Sequence, residues 1–318
     1  MQGIFLAAGN GLRLKPITNY IPKPLINIGG KTILEHILES FSKCALSESI
    51  IIINDDFLKT NTYSKLKDTE IKFIEQKEIL GTAHALKSAR NLIHSEYFLV
   101  HLADTLIIDD IEELITKMST DNSDLTILSS EVEKKDIDKI GSIEYNDKKV
   151  IQINEKLKNS SSNLAWAGTA IFKTNVFFDA VDKLELSSRG EYEIPQIINH
   201  IIKNNFIVNH IQCKKFIDIG TITGLKSGLE FLLNSNFTES NDSNTFKINK
   251  PVFIEKNSII GNNCSLGPFV SISENSSIGD NSKLKNCIII NGKIPKNSTI
   301  TNSLIFEEKI FEFSKFDS

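Results

Sequence analysis

From residue 254 onward the sequence keeps a beat that few folds accept. Ile254, Ile260, Leu266, Ile272, Ile278, Leu284 and Ile290 stand six residues apart, and the residue two positions earlier is often small, as at Ser258, Cys264, Ser276 and Ser282. Strands repeat every two residues and α-helices every 3.6, so neither uses a six-residue aliphatic period. A parallel β-helix does, because each flat side turns one aliphatic side chain inward and successive coils stack those side chains in columns. With roughly three hexads to a triangular coil, the segment predicts a core of about two to four coils. Past the irregular stretch NGKIPK the beat resumes with Ile294, Ile300 and Leu304 or Phe306.

The first 235 residues follow another rhythm. GIFLAA, SIIIIN, IKFIEQ, YFLVHLAD and DLTILSS read as strands, separated by amphipathic patterns such as TILEHILESF, TAHALKSARNLI and IEELITKM. Strands alternating with helices imply parallel pairing through long crossovers, so this part is expected to be a doubly wound, Rossmann-like α/β domain. In such sheets ligands gather beyond the carboxyl ends of the strands. Around residues 140–172 the alternation gives way to β-rich segments with Asn146-Asp147 at a turn, which predicts a hairpin. The division expected is a first domain over 1–235, a polar linker over 236–247 and a β-helix over 248–318.

The charge balance limits the partners. A net charge of -4 and a pI of about 5.9 leave no basic footprint for nucleic acid, so any anion must be met by local cations. Cys44, Cys213, Cys264 and Cys287 have no metal-ligand or disulfide spacing and read as core filler in a reducing compartment. With no targeting signal and no long apolar run, the expectation is a cytoplasmic protein without membrane partners.

The chemistry concentrates in IFLAAGNGLRLKPIT, where a strand breaks into Gly9 and Gly11 and then into Arg13. Glycines at such a turn let backbone N–H groups approach phosphate oxygens. A dinucleotide fingerprint would need a third glycine where Leu14 stands, and a Walker motif ending at GGKT would need one at Leu25. Both are excluded. What remains is a glycine-rich loop followed by Arg13 and by Lys23 in IPKPL.

LAAGNGLRLKPIT together with PKPL resembles the nucleotide-binding signature of the sugar-1-phosphate nucleotidylyltransferases, or nucleoside-diphosphate-sugar pyrophosphorylases, and similar elements continue in order to residue 221. Many members also carry a left-handed hexapeptide β-helix. The resemblance implies a mixed sheet and an EC 2.7.7 type of reaction, in which a sugar 1-phosphate oxygen attacks the α-phosphorus of a nucleoside triphosphate and pyrophosphate leaves. The nucleophile is already an anion, so catalysis reduces to aligning and neutralising phosphates with the help of Mg2+.

By the same resemblance, Leu6, Ala7, Ala8, Gly9, Gly11, Gln76, Gly81 and Thr82 form the nucleotide site. Arg13 holds the departing β and γ phosphates, Lys23 the α-phosphate, and Asp104 and Asp218 the metal. Gly141, Glu155, Lys156, Trp166 and Gly168 surround the sugar phosphate, with Glu193 a further candidate; Trp166 either stacks on a sugar face or fills core. The sequence departs from the family pattern at Leu157, where proline usually follows Glu-Lys. GTAHA and LAAG are most similar to uridylyltransferases acting on N-acetylglucosamine 1-phosphate, so UMP transfer from UTP is expected.

Guanylyl or thymidylyl transfer to mannose, heptose or glucose 1-phosphate is the alternative. A non-catalytic nucleotide-sugar-binding subunit is a remoter one. Acyl transfer on the β-helix is disfavoured because all six histidines precede the repeats. The β-helix is expected to build a homo-oligomer.

Overall fold

The apolar runs of the first half become a nine-stranded mixed sheet in the computed structural model, which describes residues 1–60, 71–134, 137, 140–155, 160, 162–235 and 245–316. Two compact units emerge: residues 1–9 with 37–216, and residues 10–36 with 217–318. They divide the chain differently from the partition read in the sequence, since residues 10–36 and 217–235 group with the hexad region. Of the expected linker, residues 236–244 lie outside the described residues.

In the first unit the sheet strands are β1 (Gln2–Leu6), β2 (Glu48–Ile53), β3 (Ile71–Glu75), β4 (Tyr97–Leu102), β5 (Leu125–Glu131), β6 (Gly141–Asn146), β7 (Lys149–Glu155), β8 (Leu164–Lys173) and β9 (Val208–Gln212). Their spatial order is β3-β2-β1-β4-β8-β5-β9-β7-β6. The first four run parallel, as the strand-helix alternation predicts. β8 enters antiparallel between β4 and β5, β9 then runs parallel to β5, and β7 and β6 follow antiparallel beyond it. The hairpin of β6 and β7 forms with Asp147 in the left-handed region at φ 52°, where an Asp is tolerated. Described helices include α1 (Ile33–Ser40), α2 (Asp55–Leu58), α3 (Thr82–Ser88), α4 (Ile111–Ser119), α5 (Thr174–Val181), α6 (Ile194–Lys203) and α7 (Ile222–Ser235). Phe98 of β4 and Phe172 of β8 stack at 5.7 Å, and Phe177 of α5 meets both edge-on, which anchors that helix on the sheet. No described helix is long and apolar enough to cross a membrane.

The second unit contains the coils. Lys247–Ile248, Ser265–Leu266 and Lys283–Leu284 pair in parallel at intervals of one coil, and Ile254 pairs with Ile272 in the same way. The next partner of Ile272 is Ile289, not Ile290. Ile289 is fully buried in the apolar column, and Ile305, rather than Leu304 or Phe306, follows it in register. The beat slips because the corners shorten. Asn257, Asn263, Asn275 and Asn281 take the left-handed conformation three residues after an inward aliphatic, whereas Asn286, Asn291 and Asn302 do so after two. Asparagine suits this conformation because its short amide bonds locally. Here the corner amides also bond from coil to coil: Asn281 donates to Asn297 (3.1 Å) and Asn286 to Asn302 (3.0 Å).

Residues 10–36 lie against these coils. The Gly29 amide donates to Ser271 Oγ (2.8 Å), the Tyr20 ring lies 5.8 Å from Phe311, and Lys309 Nζ sits 4.6 Å above the Tyr20 ring. All four cysteines are buried free thiols, and burial pushes those of Cys44, Cys213 and Cys287 up to about 11.

Two stability measurements check this packing. Ile289→Ala is expected to cost about 2–5 kcal/mol in urea unfolding, the usual range for removing a fully buried isoleucine. His101 in β4 is fully buried, and burial holds its imidazole down at about 4. The unfolded chain takes up that proton near pH 6.5 and the folded chain only near pH 4. The contribution is therefore complete above about pH 6.5 and is lost as pH falls toward 4. It amounts to on the order of 3 kcal/mol at about 1.36 kcal/mol per pH unit. Unfolding measured across that window should show a shallower slope in His101→Gln than in the wild type.

Candidate functional site

The predicted residues fall into two groups, each within one unit. In the first unit β1 delivers Leu6, Ala7 and Ala8 to the sheet's carboxyl edge. The Ala7 amide bonds the Ile52 carbonyl (2.8 Å) and the Leu6 carbonyl accepts from Ala103 (3.0 Å), so the strand end is fixed on both sides. Asn54 adds a restraint that the motif reading did not include. Its Nδ2 donates to the Ala8 carbonyl (3.2 Å) while its Oδ1 caps α2 by accepting from the Phe57 amide (3.0 Å). The signal was present as Asn-Asp-Asp after an apolar strand, an N-cap pattern. Gly9 has no neighbour within 4 Å of where a Cβ would stand, so its side of the loop opens into free space.

Gln76 follows β3 and is almost fully buried. Its amide N–H bonds the Ile53 carbonyl (2.7 Å), and its Nε2 donates to the Gly81 carbonyl (3.2 Å) and toward His84 Nδ1 (3.4 Å). Gly81 has φ +100°, and a Cβ there would come 2.4 Å from the Tyr192 carbonyl oxygen, so only glycine fits. Thr82 opens α3, and its hydroxyl accepts from the Ile194 amide (3.1 Å). Gln76, Gly81 and Thr82 are thereby brought together, with His84 an added member.

Asp104 lies in the turn after β4, with the Thr105 hydroxyl 3.5 Å from its Oδ1. Gly168 sits where β8 bulges against β5, between the pairs Trp166–Ser129 and Ala170–Ile127. Its φ is +69°, and a Cβ would stand 3.0 Å from Thr105 Oγ1, so this glycine lets β8 approach the Asp104 turn. Trp166 is half-buried against the apolar core and donates its indole N–H to the Thr169 carbonyl (3.0 Å). Gly141 begins β6 opposite Glu155. Lys156 and the Glu155 side chain lie outside the described residues. Glu193 is nearly buried, paired with Arg189, and stands at the N-cap of α6, where its amide bonds Gln196 Oε1 (2.9 Å). That arrangement gives Glu193 a structural task besides any contact with a sugar.

The second group belongs to the second unit. Gly11 takes the left-handed conformation, its carbonyl accepts from the Thr18 hydroxyl (2.9 Å), and a Cβ would meet Thr18 Cγ2 at 2.7 Å. This turn starts the short helix Leu12–Leu14, which carries Arg13. Lys23 opens a second short helix, Lys23–Leu25, set by the flanking Pro22 and Pro24. Arg13 and Asp218, expected to serve phosphate and metal respectively, are bonded to each other: Nη1 to Oδ2 at 2.9 Å and Nη2 to Oδ1 at 3.4 Å. Asp218 Oδ1 also accepts from the Gly220 amide (2.8 Å). The Arg13 side chain is half exposed, so the pair is worth about 0–1 kcal/mol and can exchange for stronger ligands. Among the described residues no three His, Cys, Asp or Glu side chains cluster as a metal cage. The carboxylates of Asp104 and Asp218 are hard oxygen donors, the kind that hold divalent cations together with phosphate oxygens and waters.

Comparison with known proteins agrees with these elements. Residues 2–235 match the nucleotidyl transferase family and residues 248–312 the GMPPB C-terminal domain. The bifunctional protein GlmU of Methanococcus aeolicus is 30% identical, aligned over 96% of this chain and 78% of its own. The UTP–glucose-1-phosphate uridylyltransferase AglF of Haloferax volcanii is 27% identical over 69% of this chain and 91% of its own. Among solved structures, a Bacillus anthracis protein described as a glucose-1-phosphate thymidylyltransferase, in complex with sucrose, superposes with a TM-score of 0.65. At 24% identity, over 76% of this chain and 98% of that one, it speaks to the fold alone. With the loop, the strand-end carboxylate and the sheet order already in place, the chain belongs to the nucleotidyl transferase family and is an enzyme of the sugar-1-phosphate nucleotidyltransferase class.

Proposed function

We propose that the enzyme transfers UMP from UTP to a sugar 1-phosphate with Mg2+ and releases pyrophosphate. The observation that carries the choice of base is the state of Gln76. Its NH2 group is committed to the Gly81 carbonyl and His84 Nδ1, which leaves the amide oxygen as the group offered to a base. An acceptor suits the N3–H of uracil and disfavours cytosine, whose N3 is itself an acceptor. Thymine shares that N3–H, so dTTP is the competing donor. The similarity to GlmU proteins and to AglF supports the uridylyl reading.

In this reading the sugar phosphate oxygen attacks the α-phosphorus without a general base. Arg13 exchanges Asp218 for the β and γ phosphates, and Lys23 meets the charge that grows on the α-phosphate. Asp104 and Asp218 are the proposed oxygen ligands of Mg2+, which supplies neutralisation of phosphate charge when bound. Gly168 gives the sugar room beside the Asp104 turn, and Glu155 and Lys156 are the proposed contacts to sugar hydroxyls and sugar phosphate. The β-helix is proposed to mediate assembly of like chains, with the exposed Ile259 and Ile310 on its surface.

Pyrophosphate release, measured across four triphosphates and a panel of hexose 1-phosphates, is expected only when both substrates are present, with UTP preferred. Silence across the whole grid defeats the reading; a preference for CTP or ATP, whose ring nitrogen accepts, defeats the role given to Gln76, and a preference for GTP, whose N1–H donates as uracil N3–H does, defeats the choice of uracil. Arg13→Ala and Lys23→Ala are each expected to lower kcat by roughly 100- to 1,000-fold, the range for removing one preorganised donor. Because Arg13 is half exposed, its variant should keep its melting temperature.

A further inference from the structure

His101 has no part in the chemistry above, yet both of its ring nitrogens are spent around the turn that carries Asp104. Nε2 lies 2.9 Å from the Thr105 carbonyl oxygen and Nδ1 lies 2.9 Å from Thr169 Oγ1. A carbonyl only accepts, so Nε2 bears the hydrogen, and Nδ1 then accepts from the Thr169 hydroxyl. Both partners adjoin residues already assigned to the site. Thr105 directly follows Asp104, and its hydroxyl approaches both Asp104 Oδ1 and the space a Cβ of Gly168 would take. Thr169 directly follows Gly168.

The position itself favours an apolar side chain. His101 is fully buried, with the ring of Phe41 4.7 Å away and that of Phe5 6.2 Å away. A leucine or phenylalanine would fill it without the cost of desolvating a polar ring. Neither could satisfy the Thr105 carbonyl or the Thr169 hydroxyl.

We propose that His101 is a positioning residue: its Nε2–H bond to the Thr105 carbonyl fixes the turn that aims Asp104, so divalent-cation affinity depends on a side chain that touches neither ion nor substrate. The proposal rests on the reading of Asp104 as a metal ligand, and the experiment separates the two. Mn2+ binding to the full-length protein with UTP is followed by water-proton relaxation for the wild type, His101→Leu, His101→Gln and Asp104→Asn, alongside melting temperatures without metal. His101→Leu is expected to weaken Mn2+ binding by about 10- to 100-fold, as loss of an outer-shell partner does. His101→Gln, whose amide can still donate to the carbonyl, is expected to recover most of that loss. A lower melting temperature with unchanged Mn2+ binding in His101→Leu overturns the proposal and leaves a core histidine. Unchanged binding in Asp104→Asn removes the ligand assignment, and the proposal with it. Should His101→Leu fail to fold, the 15N resonance of His101 Nε2 in the wild type decides. It is expected to move when Mg2+ and UTP are added, and an unmoved resonance overturns the idea.

Discussion

Backbone approaching closer than a side chain allows is the constraint on which the first unit's group of candidate residues depends. At Gly81 the start of α3 presses against the backbone of Tyr192, and at Gly168 the bulge of β8 presses on Thr105. Each contact draws together segments remote in sequence: the corner of Gln76 and Gly81 with the segment leading into α6, and the Asp104 turn with the bulge of β8. A Cβ at Gly81 would force the backbone itself to shift, since the atom it meets is a carbonyl oxygen and not a pliable side chain. The site is shaped by main chain, and its side chains decorate that shape.

Electrostatics takes over in the second unit. Arg13 and Asp218 neutralise one another in a half-exposed pair that water keeps weak. Such a pair keeps both groups ordered at little cost and leaves them open to exchange. A buried version would resist exchange, because desolvated charges cannot be separated cheaply. Half-exposure therefore leaves both charges exchangeable, as the roles proposed for Arg13 and Asp218 require.

Much of this was legible in the residues. Strand-helix alternation gave the four parallel strands, and the aliphatic beat gave the coils as far as Leu284. It could not give the antiparallel entry of β8, because a strand buried on both faces reads alike in either direction. Nor could the beat alone locate Ile289, since a corner may close with one residue fewer; the asparagines at the corners, such as Asn286 and Asn291, carry that information. The glycine-rich loop was visible because glycine and basic residues are rare together after a strand. His84 and His101 were not, nor was the bond from Asn54 to the Ala8 carbonyl, because each depends on partners that only folding supplies. The Arg13–Asp218 pair likewise joins residues 205 positions apart.

The last coil ends in a reversal. Thr299–Phe306 continues the parallel column, but Lys309–Glu312 folds back antiparallel along it, pairing Leu304 with Phe311 and Ile305 with Ile310. A column of identical parallel rungs would be a template for endless stacking of one molecule on another. Turning that rung around changes the spacing of donors and acceptors at the rim, so it no longer repeats the edge that the parallel coils present to one another. The repeat therefore breaks at that rim of the described coils, where a reversed strand takes the place of another parallel rung.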